Sequence, residues 1–233
     1  MKSPVLYRSV DGLERISFVP LGRVAARLVR VVEAQRNAGG RPREFDEGLA
    51  LDGAIEAFWR LGYEGASMAE LTQAMGINKP SLYAAYGSKE KLFERALQRY
   101  GECYHEHLKA LLSQSIAYDV IESYLRDTAV AVRAGITPGC LSIQGGLSCA
   151  PNNTRIPQLL ADYRGGIEHA VATALAATED ASRIDTDALA GYAVTIGKGL
   201  AVDAAAGASQ AKLDAVVDVA LAGLATLLAR ESG

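Results

Sequence analysis

The chain predicts an all-α protein of two domains, a short N-terminal one of three helices and a longer helical C-terminal one. Three observations predict it. Residues 67–86, SMAELTQAMGINKPSLYAAY, read as two short helices joined by a tight glycine turn. Val120, Ile121, Tyr124, Leu125, Thr128 and Val132 keep a period near 3.6, Thr137-Pro-Gly-Cys140 breaks it, and the helical pattern resumes from Ile156 to about residue 230. Alanine is abundant and aromatics make up only 6% of the chain, which favours helix throughout.

The glycine turn is the most informative stretch. Ser67 is a good N-cap, and Glu70 three residues on completes a capping box. Met68, Leu71 and Met75 then form one apolar face. Gly76 ends that helix, because glycine enters the left-handed conformation without strain. Asn78 is a second N-cap, and Pro80 falls in the following first turn, where its missing N–H costs little. The second helix, Lys79 to about Ala85, presents Lys79, Ser81 and Tyr83 near its start. Helix, glycine turn, then a helix with polar N-terminal residues is the helix-turn-helix arrangement, whose second helix enters the DNA major groove. Taken alone, the same pattern also describes an ordinary helical corner.

The flanking segments continue the pattern. Arg41-Pro42-Arg43 is basic and held extended by its proline, and Asp46 caps a first helix with Leu51, Ile55 and Phe58 as its buried stripe and Trp59 beside it. Gly62 is expected to stop that helix. Ser88 caps a long helix carrying Leu92, Phe93, Ala96, Leu97 and Tyr100, expected to run past Leu108 into the second domain.

GRPREFD at residues 40–46, AFWRLGYEGASM at 57–68 and INKPSLYAAYGSKEKLFERAL at 77–97 together resemble the TetR family of transcriptional repressors. PSLYAAYGSKE further resembles a subgroup that includes a copper-responsive repressor of an outer-membrane protein. The resemblance implies a DNA-binding domain over residues 39–100 and a ligand-binding and dimerisation domain over 101–233. It implies DNA contacts from Lys79, Pro80, Ser81 and Tyr83 to base edges or flanking backbone, and from Lys89 to phosphate. Ser67 could offer its hydroxyl and free N–H groups to phosphate. Arg41 and Arg43 could follow the backbone or enter a minor groove. It further implies a homodimer on a palindromic double-stranded operator, released by an unknown small-molecule or metal effector.

The C-terminal half supplies the expected dimer. Helices are expected over about residues 156–176, 185–205 and 210–230. The last carries the broadest stripe, Leu213, Val216, Val217, Ala220, Leu221, Leu224, Leu227 and Leu228. The preceding helix has small residues at Ala188, Gly191, Gly197 and Gly199 that permit close approach. Pairing each helix with its twin across a two-fold axis makes a four-helix bundle. Leu213, Val217, Leu221, Leu224 and Leu228 are therefore expected at the dimer interface.

Charge supports a localised contact with DNA. The net charge is −3, yet residues 1–43 carry nine Lys and Arg against three Asp and Glu. Positive charge is thus concentrated at the N-terminal end while the rest is acidic. Residues 1–38 admit a membrane-surface helix or an extra DNA arm, but a poorly ordered extension is the plainer reading. No apolar run reaches membrane-spanning length and no secretory signal is evident, so a cytoplasmic protein without a membrane partner is expected. Three cysteines, an odd number, suit a reducing compartment.

Cys103 and His107 share a helix face and are the candidate metal pair, with His105 pointing the other way. Two ligands make a weak site, so core cysteine and solvated histidine is the plainer account and no metal or other cofactor is expected. Thiol sensing is a rival use of the cysteines. No G-x-S-x-G, G-x-G-x-x-G after a strand, or H-E-x-x-H is present, so no catalytic residue and no enzyme is expected. The competing class is a helical small-molecule or metal sensor that does not act through DNA.

Overall fold

The computed structural model describes residues 45–134, 137–146 and 149–231. Segment 1–38, Arg41 and Arg43 lie outside the described residues, as do the side chains of Cys103 and His107. The described residues form nine α-helices and a short 3-10 turn, with no strand. No helix among them is long and apolar enough to cross a membrane.

Helix α1 (Glu47–Gly65) starts where expected, with the Asp46 carboxylate accepting from the Leu49 N–H at 3.1 Å. Gly62 does not stop it. The glycine adopts φ 71°, kinks the helix, and a last turn continues to Gly65. The kink aims the Tyr63 N–H out of the helix, where it donates to the Gly145 carbonyl at 3.0 Å. Helices α2 (Met68–Met75) and α3 (Lys79–Tyr86) follow, with the Ser67/Glu70 capping box intact, Gly76 at φ 66° and the Asn78 side chain accepting from the Ser81 N–H at 2.8 Å. Helix α4 (Lys89–Leu111) is capped by Ser88.

These four helices share one core. Phe58 meets Phe93 edge-on at 4.9 Å between ring centres, and Tyr63 meets the same ring at 5.3 Å. Leu71, Leu82 and Leu92 are fully buried around them. Asp52 of α1, only 8% exposed, takes two hydrogen bonds from Arg99 of α4, Nε at 2.6 Å and Nη2 at 3.0 Å. That planar pairing fixes the angle between the two helices. Where α1 crosses α2, the contact is backbone on backbone: a Cβ on Gly53 would stand 2.2 Å from the Ala74 carbonyl oxygen.

Five further helices make the remainder: α5 (Ala117–Ala134), α6 (Leu141–Gln144), α7 (Arg155–Ala176), α8 (Thr186–Ala205) and α9 (Gln210–Glu231). Their core joins Val120, Ile121 and Leu125 of α5 to Val171 and Leu175 of α7 and Ala190, Ala193 and Ala201 of α8. The cores do not divide cleanly at residue 100. Leu141, Ile156 and Leu160 pack into the same cluster as Phe58 and Phe93.

One expectation needs correction. Leu213, Val217, Leu221 and Leu224 are at most 2% exposed and lie within the chain's own core, where α9 packs on α5, and Leu228 packs partly buried beside them. Leu213, Val217, Leu221 and Leu224 are thus used within the chain, while Val216, Leu227 and part of Leu228 of the same stripe stay uncovered. The apolar side chains α9 leaves outside are Val216, Val219 and Leu227, and those of α8 are Tyr192 and Val202.

The Gly53 crossing yields the first prediction. Gly53→Ala must force α1 and α2 apart and should cost about 1–3 kcal/mol. Gly166→Ala, on α7 with open space around the added methyl, should instead stabilise by about 0.5–1 kcal/mol. Urea denaturation of both variants checks the contrast, and equal midpoints would refute the close crossing.

Candidate DNA-reading face and ligand cavity

Helix α3 is held by two side chains and offers the others. Leu82 and Tyr86 are buried in the core, and the Tyr86 hydroxyl finds no hydrogen-bond partner among the described residues. Lys79, Pro80 and Tyr83 are exposed on the same short helix, Ser81 is half-buried, and the Lys79 ammonium lies 6.0 Å from the Tyr83 ring centre. These four expected DNA-contacting residues therefore form one patch.

Ser67 and Lys89 sit at the end of α1 rather than on that patch, and both are already engaged. The Ser67 N–H donates to the Glu70 carboxylate at 2.8 Å, and the Ser67 Oγ accepts from the Glu70 N–H at 3.2 Å. That pairing pulls the Glu70 pKa below the ordinary carboxylate value. It leaves the Ser67 hydroxyl proton, and not the Ser67 N–H, to meet a phosphate. Lys89 donates to the Glu64 carbonyl at 3.3 Å and stands 4.6 Å over the Tyr63 ring. It thus caps the negative end of α1. Burial pushes its pKa below the ordinary lysine value, with Glu64 and Glu70 opposing.

Sequence reasoning missed what α1 touches on its other side. The Trp59 indole N–H donates to the Gln144 side chain at 2.8 Å, beside the Tyr63–Gly145 bond. The Glu64 carboxylate accepts from the Ala150 N–H at 3.2 Å and the Asn153 amide at 3.1 Å, which lowers its pKa. Residues 139–146 and 149–153 are therefore fastened to the turn just before the helix-turn-helix. The one sequence signal was Trp59, whose indole N–H demands a partner when the ring is buried.

The same segment walls a partly open cavity of about 70 Å³ between α4, α5, α6, α7 and α8. Tyr100, Tyr104, Tyr124 and Tyr163 line it, with Thr128, Cys140, Arg164 and Lys198. Burial raises the pKa of Tyr100, Tyr104 and Tyr124, so these phenols stay protonated at neutral pH. The Cys140 sulfur lies 3.1 Å from Ser142 Oγ and 3.5 Å from the Tyr100 hydroxyl. Cys149 lies outside, near Glu64 and Lys89, and burial raises its thiol pKa. Among the described residues no group of three or more His, Cys, Asp or Glu side chains gathers as a metal site.

Comparison with known proteins bears on both features. The family model "Bacterial regulatory proteins, tetR family" matches residues 50–96, which runs from α1 into α4. The chain is 30% identical over 185 residues to the HTH-type transcriptional repressor ComR of Escherichia coli (strain K12), covering 76% of this chain and 88% of that one. It is 46% identical over 70 residues to the HTH-type transcriptional repressor BdcR of the same organism, covering 30% and 36% of the two chains. Among solved structures it is similar to the TetR family regulator CifR, a cysteine mutant complexed with 26-bp double-strand operator DNA. The TM-score is 0.73 at 34% identity, with 78% of this chain and 98% of that one covered. With the helix-turn-helix, the linking α4 and the helical C-terminal half all matched, the chain belongs to the TetR family of DNA-binding transcriptional regulators, which are not enzymes.

Proposed function

We propose that the protein is a homodimeric repressor that grips a palindromic operator and releases it when an effector fills the cavity. One observation carries this reading. Segment 139–146 both walls the cavity, through Cys140, Ser142 and Ile143, and hydrogen-bonds to α1 through Gln144 and Gly145. An occupant that shifts this segment shifts α1 with it, and α2 and α3 ride on α1. Two α3 helices must stand about one DNA turn apart, roughly 34 Å, to enter successive major grooves. A few ångströms of movement spoil that spacing. The effector must bind the spoiled arrangement better, since only differential affinity moves the equilibrium.

The dimer forms on the outer faces of α8 and α9. Tyr192, Gly199 and Val202 share one side of α8, and Val216, Val219, Gly223 and Leu227 share one side of α9. Nothing within the chain lies within 4 Å of a Cβ placed on Gly199 or Gly223, which leaves room for a second copy. Apolar residues and bare glycines at helical spacing suit an isologous four-helix contact. The repressor acts in the cytoplasm, where operator DNA is accessible.

Two kinds of DNA contact are separable by experiment. Lys79→Ala and Lys89→Ala should each weaken operator and non-specific DNA alike and flatten the salt dependence by about one unit of slope. Ser81→Ala or Tyr83→Ala should instead change the ranking of operator variants. Titrations at several salt concentrations test this, and an unaltered slope for Lys89→Ala would mean that it remains bound to Glu64 in the complex.

The dimer contact is tested by two charges on one helix. Val219 is 75% exposed in the single chain, so Val219→Glu should leave the fold intact, give monomers in analytical ultracentrifugation and abolish tight operator binding. Leu224→Glu, buried in the chain's own core, should unfold the domain. A stable Val219→Glu dimer would place the contact elsewhere.

A further inference from the structure

The cavity walls specify a class of effector, an inference that rests on the cavity being the effector site. The lining is largely apolar, and the polar groups in it are mostly hydrogen-bond donors. The buried phenols of Tyr104 and Tyr124 are protonated O–H donors, and Arg164 and Lys198 add two cations. No aspartate or glutamate lines the cavity itself, although Asp127 acts on Tyr104 and Tyr124, and Glu168 on Tyr124, from behind the wall. An apolar wall with a few donors and two cations at its edge suits a ligand with an apolar part and an anionic, accepting end.

Thr128 places the polar end. It is only 8% exposed, and its Oγ1 lies against the Tyr124 phenol at the edge of hydrogen-bonding geometry, which leaves the hydroxyl able to turn to a ligand. Both side chains crowd Gly197: a Cβ there would stand 2.9 Å from the Tyr124 hydroxyl oxygen and 3.5 Å from the Thr128 methyl. The next residue is Lys198, whose ammonium is held only loosely, 3.7 Å from the Glu168 carboxylate. Arg164 donates to the Ser142 carbonyl from one of its nitrogens. Arg164 and Lys198 also border a more open groove of about 330 Å³ on the outside, so they stand at the threshold between the two spaces.

Size sets the rest of the ligand. The cavity is about 70 Å³ and partly open, so only a small ligand, or the end of one, fits among the tyrosines. We infer that the effector is a small organic carboxylate. Its carboxylate faces the Thr128 hydroxyl and the Arg164 and Lys198 cations, and its apolar tail lies among the tyrosine rings.

Isothermal titration of the full chain with butyrate and with its neutral analogue butyramide tests this. Butyrate should bind and butyramide should bind at least about tenfold more weakly, the ratio a charge-assisted contact supports. Thr128→Val and Lys198→Met should each weaken butyrate by about tenfold while helical circular dichroism is unchanged. Lys198 carries only a loose surface ion pair, so that variant folds even if Thr128→Val does not. Equal affinity for butyramide, unchanged butyrate affinity in Lys198→Met, or no binding of any carboxylate from acetate to hexanoate would each overturn the ligand class. None of these touches operator binding, which is measured on the ligand-free protein. Butyrate that binds as expected but leaves operator affinity unchanged would support the ligand class and overturn release.

Discussion

The docking of the end of α1 on segment 139–146 is the contact on which the rest of the structure depends. Two hydrogen bonds, Trp59 to Gln144 and Tyr63 to Gly145, join groups more than eighty residues apart. They are only possible because Gly62 kinks α1 and frees the Tyr63 N–H, and because Gly145 packs against backbone. A Cβ on Gly145 would stand 2.7 Å from the Leu141 carbonyl oxygen. The apolar contribution lies beneath, where Leu141, Ile156 and Leu160 complete the core around Phe93. The core of the DNA-reading helices is consequently completed by the second half of the chain. Their orientation is shared with the walls of the cavity, which is the coupling that the proposed release would use.

Electrostatics follow the same economy. The helix-turn-helix region is itself acidic, with six Lys and Arg against nine Asp and Glu over residues 44–100. Lys79 projects from α3, whereas Lys89 is drawn back onto the α1 terminus and partly desolvated. Glu70 stays charged, but its carboxylate is held by its own capping box. Where acidic groups surround a DNA-facing surface, a few placed cations set both register and salt dependence, and their partners before binding matter as much as their number.

Inside the C-terminal half, polar groups are used sparingly. Asp180 reaches across to cap α5, its carboxylate accepting from the Ala117 N–H at 3.0 Å, and Gln210 of α9 donates to the Ala129 carbonyl at 3.2 Å. Tyr192 ties α8 to α9 through the Ala220 carbonyl at 3.0 Å. These bonds satisfy helix ends and loose carbonyls without charging the core, while hydroxyls, a thiol and cations converge at the cavity.

The amino-acid sequence by itself determined the helices and their caps. Asp46, Ser67 with Glu70, Gly76, Asn78 and Ser88 all act within four residues of themselves, so short-range hydrogen bonding and φ preference suffice to read them. The patch of Lys79, Pro80, Ser81 and Tyr83 was legible for the same reason, since one short helix carries it. Tertiary structure alone decided which side of α9 is core. Val216 and Val217 are adjacent valines, and only the position of α5 buries the second and exposes the first. It alone turned Tyr100, Tyr124 and Thr128 from an apolar stripe into cavity walls, and Lys89 from a free cation into a helix cap. Periodicity says that a side chain is on a face. What that face meets depends on partners far along the chain, which no local pattern encodes.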